Sequence, residues 1–503
     1  MTRGPAVAPA RGWASPRAGR AAYVTTAPEY QATTVQACGL FPFTAGSGSP
    51  TAGVPFGRHM MWGEVVCCDP FAWMDAGLTT NRGVFFLGQP GTGKSSGGKR
   101  ICRGLMAFGA VPLFLGDAKP DYTGVVRSAG GQVIRIGRGL DRINPLDAGP
   151  LGVALARITG SAAERLRLEV RGRRLNATLA LCALVRTDAP MSNAEETVIG
   201  AAVDLLADRL PTGVDPTVPD VLTVIREGSD RLVSAAEVDT AEEYRAETRR
   251  LRQTLRMLCE GSLKGVFDGP TTTPIDLAAP AVSIDISAVT SAGDTLLSAA
   301  MLSTWSYGFA VIDASTALAE AGLAPPRRYV AVLDELWRAL RGAPGLVDHA
   351  DALTRVYRGR NVAHMMMTHS LDDLNALPTE ADRAKARGFI DRCAITVLAG
   401  LPLRELDAVS RVVPLSDAEK AIVASWSSPE TWQPGARHPG RGKYLIKTGQ
   451  RVGIPVELEY VADEAILYDT DTQITHPSSS TARSVTPVPR AEAHRPGGTG
   501  WPE

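Results

Sequence analysis

The sequence predicts an α/β protein built on a mainly parallel sheet, with a large helical insertion and a C-terminal β-hairpin. Three observations carry this. Short apolar runs alternate with segments of helical spacing on either side of a central stretch that is helical throughout. One run, residues 84–87, leads straight into a turn rich in Gly, reading GQPGTGKSS over 88–96. Two others end in polar residues, Asp117 and the pair Asp334–Glu335, and polar groups at the carboxyl ends of buried strands face the ligand crevice of an open α/β sheet.

Composition narrows the class. At 503 residues the chain can hold two or three domain-sized units. Apolar residues make up 44% and charged residues 21%, as in a soluble globular protein. Lys+Arg and Asp+Glu both number 53, so no global field argues for nucleic acid or a membrane surface, and such a partner would need a local patch. The seven cysteines form no C-x-x-C, and Cys67 and Cys68 are adjacent, so reduced thiols of a cytosolic protein are expected. The N-terminus carries arginines without the apolar core of a signal peptide. Residues 295–312 are uncharged over a near-spanning length, but Ser298, Ser303, Thr304, Ser306 and Tyr307 predict a buried core helix, not a transmembrane segment.

In chain order, residues 1–27 read as a flexible arm rich in Ala, Arg, Gly and Pro. Residues 28–150 form the first part of the core. Short extended pieces occupy 30–58 and a strand 63–69; after the strand at 84–87 comes a helix over 96–108. Another strand, 111–115, ends in Asp117–Tyr122, and a helix, a strand at 132–136 and the turn 143–147 follow. Residues 151–262 carry helical spacing, clearest at 195–210 and 240–258, and read as an insertion. Within it Arg165, Arg167, Arg171, Arg173 and Arg174 offer either a phosphate-contacting surface or a solvated helix face partly neutralised by Glu164 and Glu169; the second is the ordinary outcome. Residues 263–470 complete the core with strands at 281–286, 329–333, 362–367 and 394–399 and a hairpin over 442–460. Residues 471–503 read as a disordered tail.

The chemistry starts at the Gly-rich turn. Gly88, Gly93, Lys94 and Ser95 satisfy G-x-x-x-x-G-K-[ST], with Gln89, Pro90, Gly91, Thr92 and Ser96 completing the loop. Glycines let successive backbone N–H groups face phosphate, Lys94 reaches the β- and γ-phosphates, and the Ser95 hydroxyl can sit on Mg²⁺. The helix that follows adds its positive end. ATP and Mg²⁺ are therefore the expected ligands. Asp334 would hold the metal and Glu335 would orient or deprotonate the attacking water, although acidic residues also suit a plain helix N-terminus. His369, after the strand 362–367, could sense the terminal phosphate or be an ordinary turn residue. Arg358, flanked by Arg355 and Arg360, could reach a neighbouring protomer as an arginine finger or form surface ion pairs. Lys94 and Asp334 stand 240 positions apart, a gap that suits a RecA-like core with a large insert.

Taken together, these segments resemble the VirB-type ATPases of conjugation and type IV secretion, within the HerA–FtsK group of RecA-like P-loop motors, over residues 57–460. GQPGTGKS matches that family's phosphate loop. Asp117–Tyr122 is similar to its Asp-x-Lys-Gly-Glu-Tyr element, with Pro120 and Asp121 as departures, and Asn144–Asp147 to its Asn-Pro-hydrophobic-Asp turn. Phe267–Thr271, Leu333–Trp337, Arg358–Asn361 and Thr368–Asp372 follow in the family's order and spacing, with His369 where the family carries Gln. The resemblance implies an ATP-hydrolysing motor, a hexamer of this chain, energising a conjugative DNA-transfer channel. It implies a cytoplasmic protein peripheral at the membrane and working with inner-membrane channel proteins. Only about fifty residues precede the core, so a separate polypeptide would supply the family's N-terminal docking domain. A DNA-translocating coupling protein or pump on the same fold is the alternative, with direct nucleic-acid binding; a nucleotide-switched scaffold without turnover is a third.

Overall fold

This computed structural model describes residues 48–186, 189–211, 213–261, 263–341, 347, 361–375, 377, 379–427 and 438–468. The expected arm (1–27), the expected tail (471–503), Cys38, Arg355, Arg358 and Arg360 lie outside the described residues. The unit described below starts at Ser49.

The sheet grows outward from the run that precedes the Gly-rich turn. β3 (Gly83–Leu87) is buried along its whole length, as a strand covered on both faces must be. It pairs in parallel with β9 (Ile395–Leu398) on one side and β8 (Val362–Thr368) on the other. From β8 the parallel ladder continues through β7 (Arg328–Leu333), β4 (Ala110–Asp117), β6 (Val282–Asp285) and β5 (Gln132–Arg135). Beyond β9 the pairing becomes antiparallel, through β10 (Lys443–Lys447), β11 (Ile454–Glu457), β1 (Pro55–His59) and β2 (Val65–Cys67). Among the described residues, eleven strands form one sheet in the order β2-β1-β11-β10-β9-β3-β8-β7-β4-β6-β5. The mainly parallel sheet and the C-terminal hairpin are as expected. The strand expected at 63–69 is the short β2, which closes the antiparallel edge with β1.

Alternating side chains give each strand two apolar faces. Val84 and Phe86 pack with Ile101, Cys102 and Leu105 of the helix Lys94–Ala107. Phe85 and Leu87 face the opposite core, which holds Trp305 and Phe309 of the helix Asp294–Glu320. That helix is long and apolar enough to cross a membrane by length and composition, yet it is mostly buried here against the sheet. The Trp305 indole N–H donates to the Leu115 carbonyl at 3.1 Å, which fastens the helix to β4.

Among the described residues, seven helices run from Pro150 to Glu260. The segment with helical spacing at 240–258 is two helices, Ala241–Glu247 and Arg249–Glu260, because the chain bends at Thr248, whose hydroxyl donates to the Tyr244 carbonyl. The arginine run follows the helix-face reading in part: Arg165, Arg167 and Arg171 are exposed, and Glu169 pairs with Arg173. Arg171 pairs with Asp204, Arg173 with Glu169 and Asp313, and Arg174 with Asp215, so these three guanidinium groups are engaged by carboxylates within the fold. The six cysteines among the described residues are free thiols.

Candidate active site

The site lies at the carboxyl ends of β3, β8, β7 and β4, four adjacent parallel strands. β3 delivers the loop 88–93 and the first turn of the helix Lys94–Ala107. Gly93 sits at φ 96°, a left-handed conformation that side-chain-bearing residues adopt at a cost, and its carbonyl accepts from the Tyr444 hydroxyl at 2.6 Å. Gln89 N–H donates to the Gly400 carbonyl at 3.0 Å, and the Thr92 hydroxyl closes back on the Gln89 carbonyl at 2.6 Å. The loop is thus held by the end of β9 and by the hairpin. Helix and sheet approach closely behind it: a Cβ on Gly98 would come within 2.2 Å of the Met367 methyl.

Lys94 is buried, and its ammonium donates to the carbonyls of Gly88 and Gln89 and to His369 Nδ1, the last at 2.7 Å. Burial pulls its pKa down to about 8, although the carboxylates of Asp334 and Glu335 oppose this. An ammonium facing Nδ1 requires that nitrogen to be the acceptor. Nε2 then carries the proton and donates it to Glu335 Oε1 at 2.8 Å. His369 is fixed by its neighbours: Ser370 N–H bonds Asp373, while the Ser370 hydroxyl and Leu371 N–H both bond Glu405.

Asp334 and Glu335 close β7. The Tyr122 hydroxyl donates to Asp334 Oδ2 at 2.7 Å, and the other oxygen takes the Glu335 N–H at 2.9 Å. Desolvation and the neighbouring Glu335 charge raise the Asp334 pKa, against the Tyr122 bond and Lys94. Glu335 has φ 52°, one of two non-glycine residues in the left-handed region among those described. Its Oε1 also takes Lys119 Nζ at 3.2 Å, and its Oε2 takes the Trp337 indole N–H at 2.8 Å. Burial alone would raise its pKa; the bond from His369, the Lys119 charge and the bond from Trp337 oppose this and hold it below the ordinary carboxylate value.

The structure therefore brings Lys94, His369, Glu335 and Asp334 together, with Ser95 and Ser96 in the first turn of the helix. Arg358 lies outside the described residues. No group of three or more His, Cys, Asp or Glu suited to a metal occurs among the described residues. Magnesium fits the donor set all the same, since it needs one or two carboxylates and takes its other oxygens from hydroxyl, water and phosphate. Lys94 fits a phosphate partner, because the carbonyls and ring nitrogen it now holds are neutral groups that an anion can replace. Sequence reasoning gave no role to Lys119, Tyr122 or Trp337. The signal was present for two of them, in the polar residues that follow β4.

No family model matches the sequence, and no curated protein matches it. Among solved structures, VirB4 of Thermoanaerobacter pseudethanolicus superposes with a TM-score of 0.62 at 19% identity, over 83% of this chain and 99% of that one. The plasmid coupling protein TrwB in complex with ADP and Mg²⁺ gives a TM-score of 0.49 at 15% identity, over 82% and 96%. The likeness to VirB4 shows a shared fold, the mixed α/β architecture with a mainly parallel sheet.

Proposed function

We propose that this chain is an ATP-hydrolysing motor that energises a conjugative DNA-transfer or type IV secretion channel. The observation that carries the reading is the hydrogen-bonded series Lys94–His369–Glu335, set beside Asp334 at the ends of adjacent parallel strands. The fold shared with VirB4 over most of both chains supports the transport assignment.

In this reading the backbone N–H groups of 88–96 and the Lys94 ammonium bind the β- and γ-phosphates. Ser95 and Asp334 hold Mg²⁺, which supplies charge neutralisation at the phosphate oxygens when bound. Glu335 orients the attacking water and accepts its proton, and His369 reports the position of Lys94 to Glu335. Arg358 of a neighbouring protomer completes the site in a hexameric ring. The motor works in the cytoplasm against inner-membrane channel proteins.

The test is steady-state ATP hydrolysis by the assembled protein with and without Glu335→Gln. A loss of about 100-fold or more is expected for a residue serving as general base; equal rates remove the assignment. Adding single- and double-stranded DNA separates the transport reading from a DNA pump. Strong stimulation that weakens with salt would favour the pump.

A further inference from the structure

Resting on that ATPase reading, we propose that the turn after β4 supplies two positioning residues for the acidic pair, Lys119 for Glu335 and Tyr122 for Asp334. The turn is built to reach them. At the end of β4 the pairing with β6 slips between Leu115 and Asp117, and Gly116 sits at φ 79°. Such a bulge re-aims the chain that follows it. Asp117 is buried, and its two oxygens accept the N–H groups of Asp121 at 3.1 Å and Tyr122 at 3.0 Å, which closes the turn on itself. The Tyr122 ring stacks on Phe114 with centroids 4.4 Å apart, and its hydroxyl is thereby carried to Asp334. β4 pairs directly with β7, so the turn arrives beside residues 334 and 335.

Glu335 needs such a support. Its left-handed backbone is strained for a residue with a side chain and persists only where surrounding contacts impose it. Two donors converge on its Oε1, and they differ in what else they hold. His369 is tied through Nδ1 to Lys94, so whatever draws Lys94 towards phosphate disturbs His369 as well. Lys119 is half exposed and reaches Glu335 from the other side of β7, independently of the phosphate loop. It is the donor that keeps Oε1 oriented while Lys94 and His369 exchange partners.

The experiment compares ATP hydrolysis by the assembled full chain in four forms: wild type, Lys119→Met, Glu335→Gln and the double variant. Lys119→Met is expected to lose about tenfold or more in kcat with KM within about twofold, and Lys119→Arg to recover most of that loss. The double variant should be no slower than Glu335→Gln alone, because Lys119 acts only through Glu335. Tyr122→Phe should raise the Mg²⁺ concentration for half-maximal rate several-fold. Independently of turnover, crystals of Lys119→Met should show the Glu335 carboxylate displaced or in two conformers. A wild-type kcat for Lys119→Met, full additivity in the double variant, or an undisplaced Glu335 overturns the proposal. A Glu335→Gln variant running at the wild-type rate sinks the ATPase reading instead, and the crystals then decide the placement of Glu335 by Lys119.

Discussion

Two buried ionic networks in this molecule look alike and are built to opposite ends. In the helical region, Arg186 grips Glu195 with two parallel bonds, Nη1 to Oε2 at 2.6 Å and Nη2 to Oε1 at 2.7 Å. Thr254 accepts from the same guanidinium, and Glu195 also closes the capping box of its helix by accepting the Ser192 N–H. Each partner is a fixed side chain of fixed charge. At the strand ends, Lys94 is satisfied by two main-chain carbonyls and one imidazole, all of them neutral. The first network has nothing to gain from an incoming ion. The second has a cation whose present partners an anion outbids. Burial by itself does not mark a functional site; what marks it is whether the partners are replaceable.

The largest expected effect lies in the replaceable network. Lys94→Ala should cut ATP turnover by about 100-fold or more, as removal of a preorganised electrostatic group does, while the thermal midpoint changes little or rises, since a desolvated ammonium is removed. Activity assay and calorimetry on the same sample check both halves. A large stability loss with unchanged turnover would make Lys94 structural and erase the contrast.

Arg186→Met should behave in the reverse sense. Breaking a buried pair leaves the Glu195 carboxylate unpaired and is expected to cost about 3–5 kcal/mol of stability. Denaturant unfolding measures this, and nucleotide affinity below the unfolding transition should stay within about twofold if the networks are independent, as distant sites usually are.

The smallest effect sharpens the boundary between the two regions. Asp147 bonds the Asp215 carboxyl across the junction of core turn and helical region, and Arg174 pairs with Asp215 there. Desolvation and then the Asp215 bond raise the Asp147 pKa above its ordinary value. The folded protein therefore binds more protons than the unfolded chain above about pH 4, so this pair's contribution is fully present below the unfolded pKa of about 3.9 and fades as pH rises. Asp147→Asn should flatten that slope by a fraction of a kcal/mol to about 1 kcal/mol per pH unit. Unfolding midpoints between pH 4 and 7 test it; an unchanged slope removes the pair from the account.

How much of this was legible follows from where the information sits. The loop 88–96 and the acidic end of β7 could be read because their chemistry is local: glycine conformations, a Lys–Ser pair, two carboxylates after an apolar run. The placement of β8 and β7 between β3 and β4 could not, since strand order is set by packing across some 280 positions of chain. Lys119 and Tyr122 were visible as polar residues after a strand, but their partners are 216 and 212 residues away. Arg165 and Arg167 are solvated as the sequence suggests, whereas the partners of Arg171, Arg173 and Arg174 (Asp204, Asp313 and Asp215) lie on other segments and could not be read locally. His369 was placed at the right strand end, while its bridging of Lys94 to Glu335 needed the fold.

The most direct test is a crystal structure of the full chain with Mg²⁺ and a non-hydrolysable ATP analogue. Lys94 should have left the Gly88 and Gln89 carbonyls and His369 for the β- and γ-phosphates, with the metal joined to the Ser95 hydroxyl and to Asp334, directly or through one water. A nucleotide bound elsewhere, with Lys94 still donating to His369, would contradict the account.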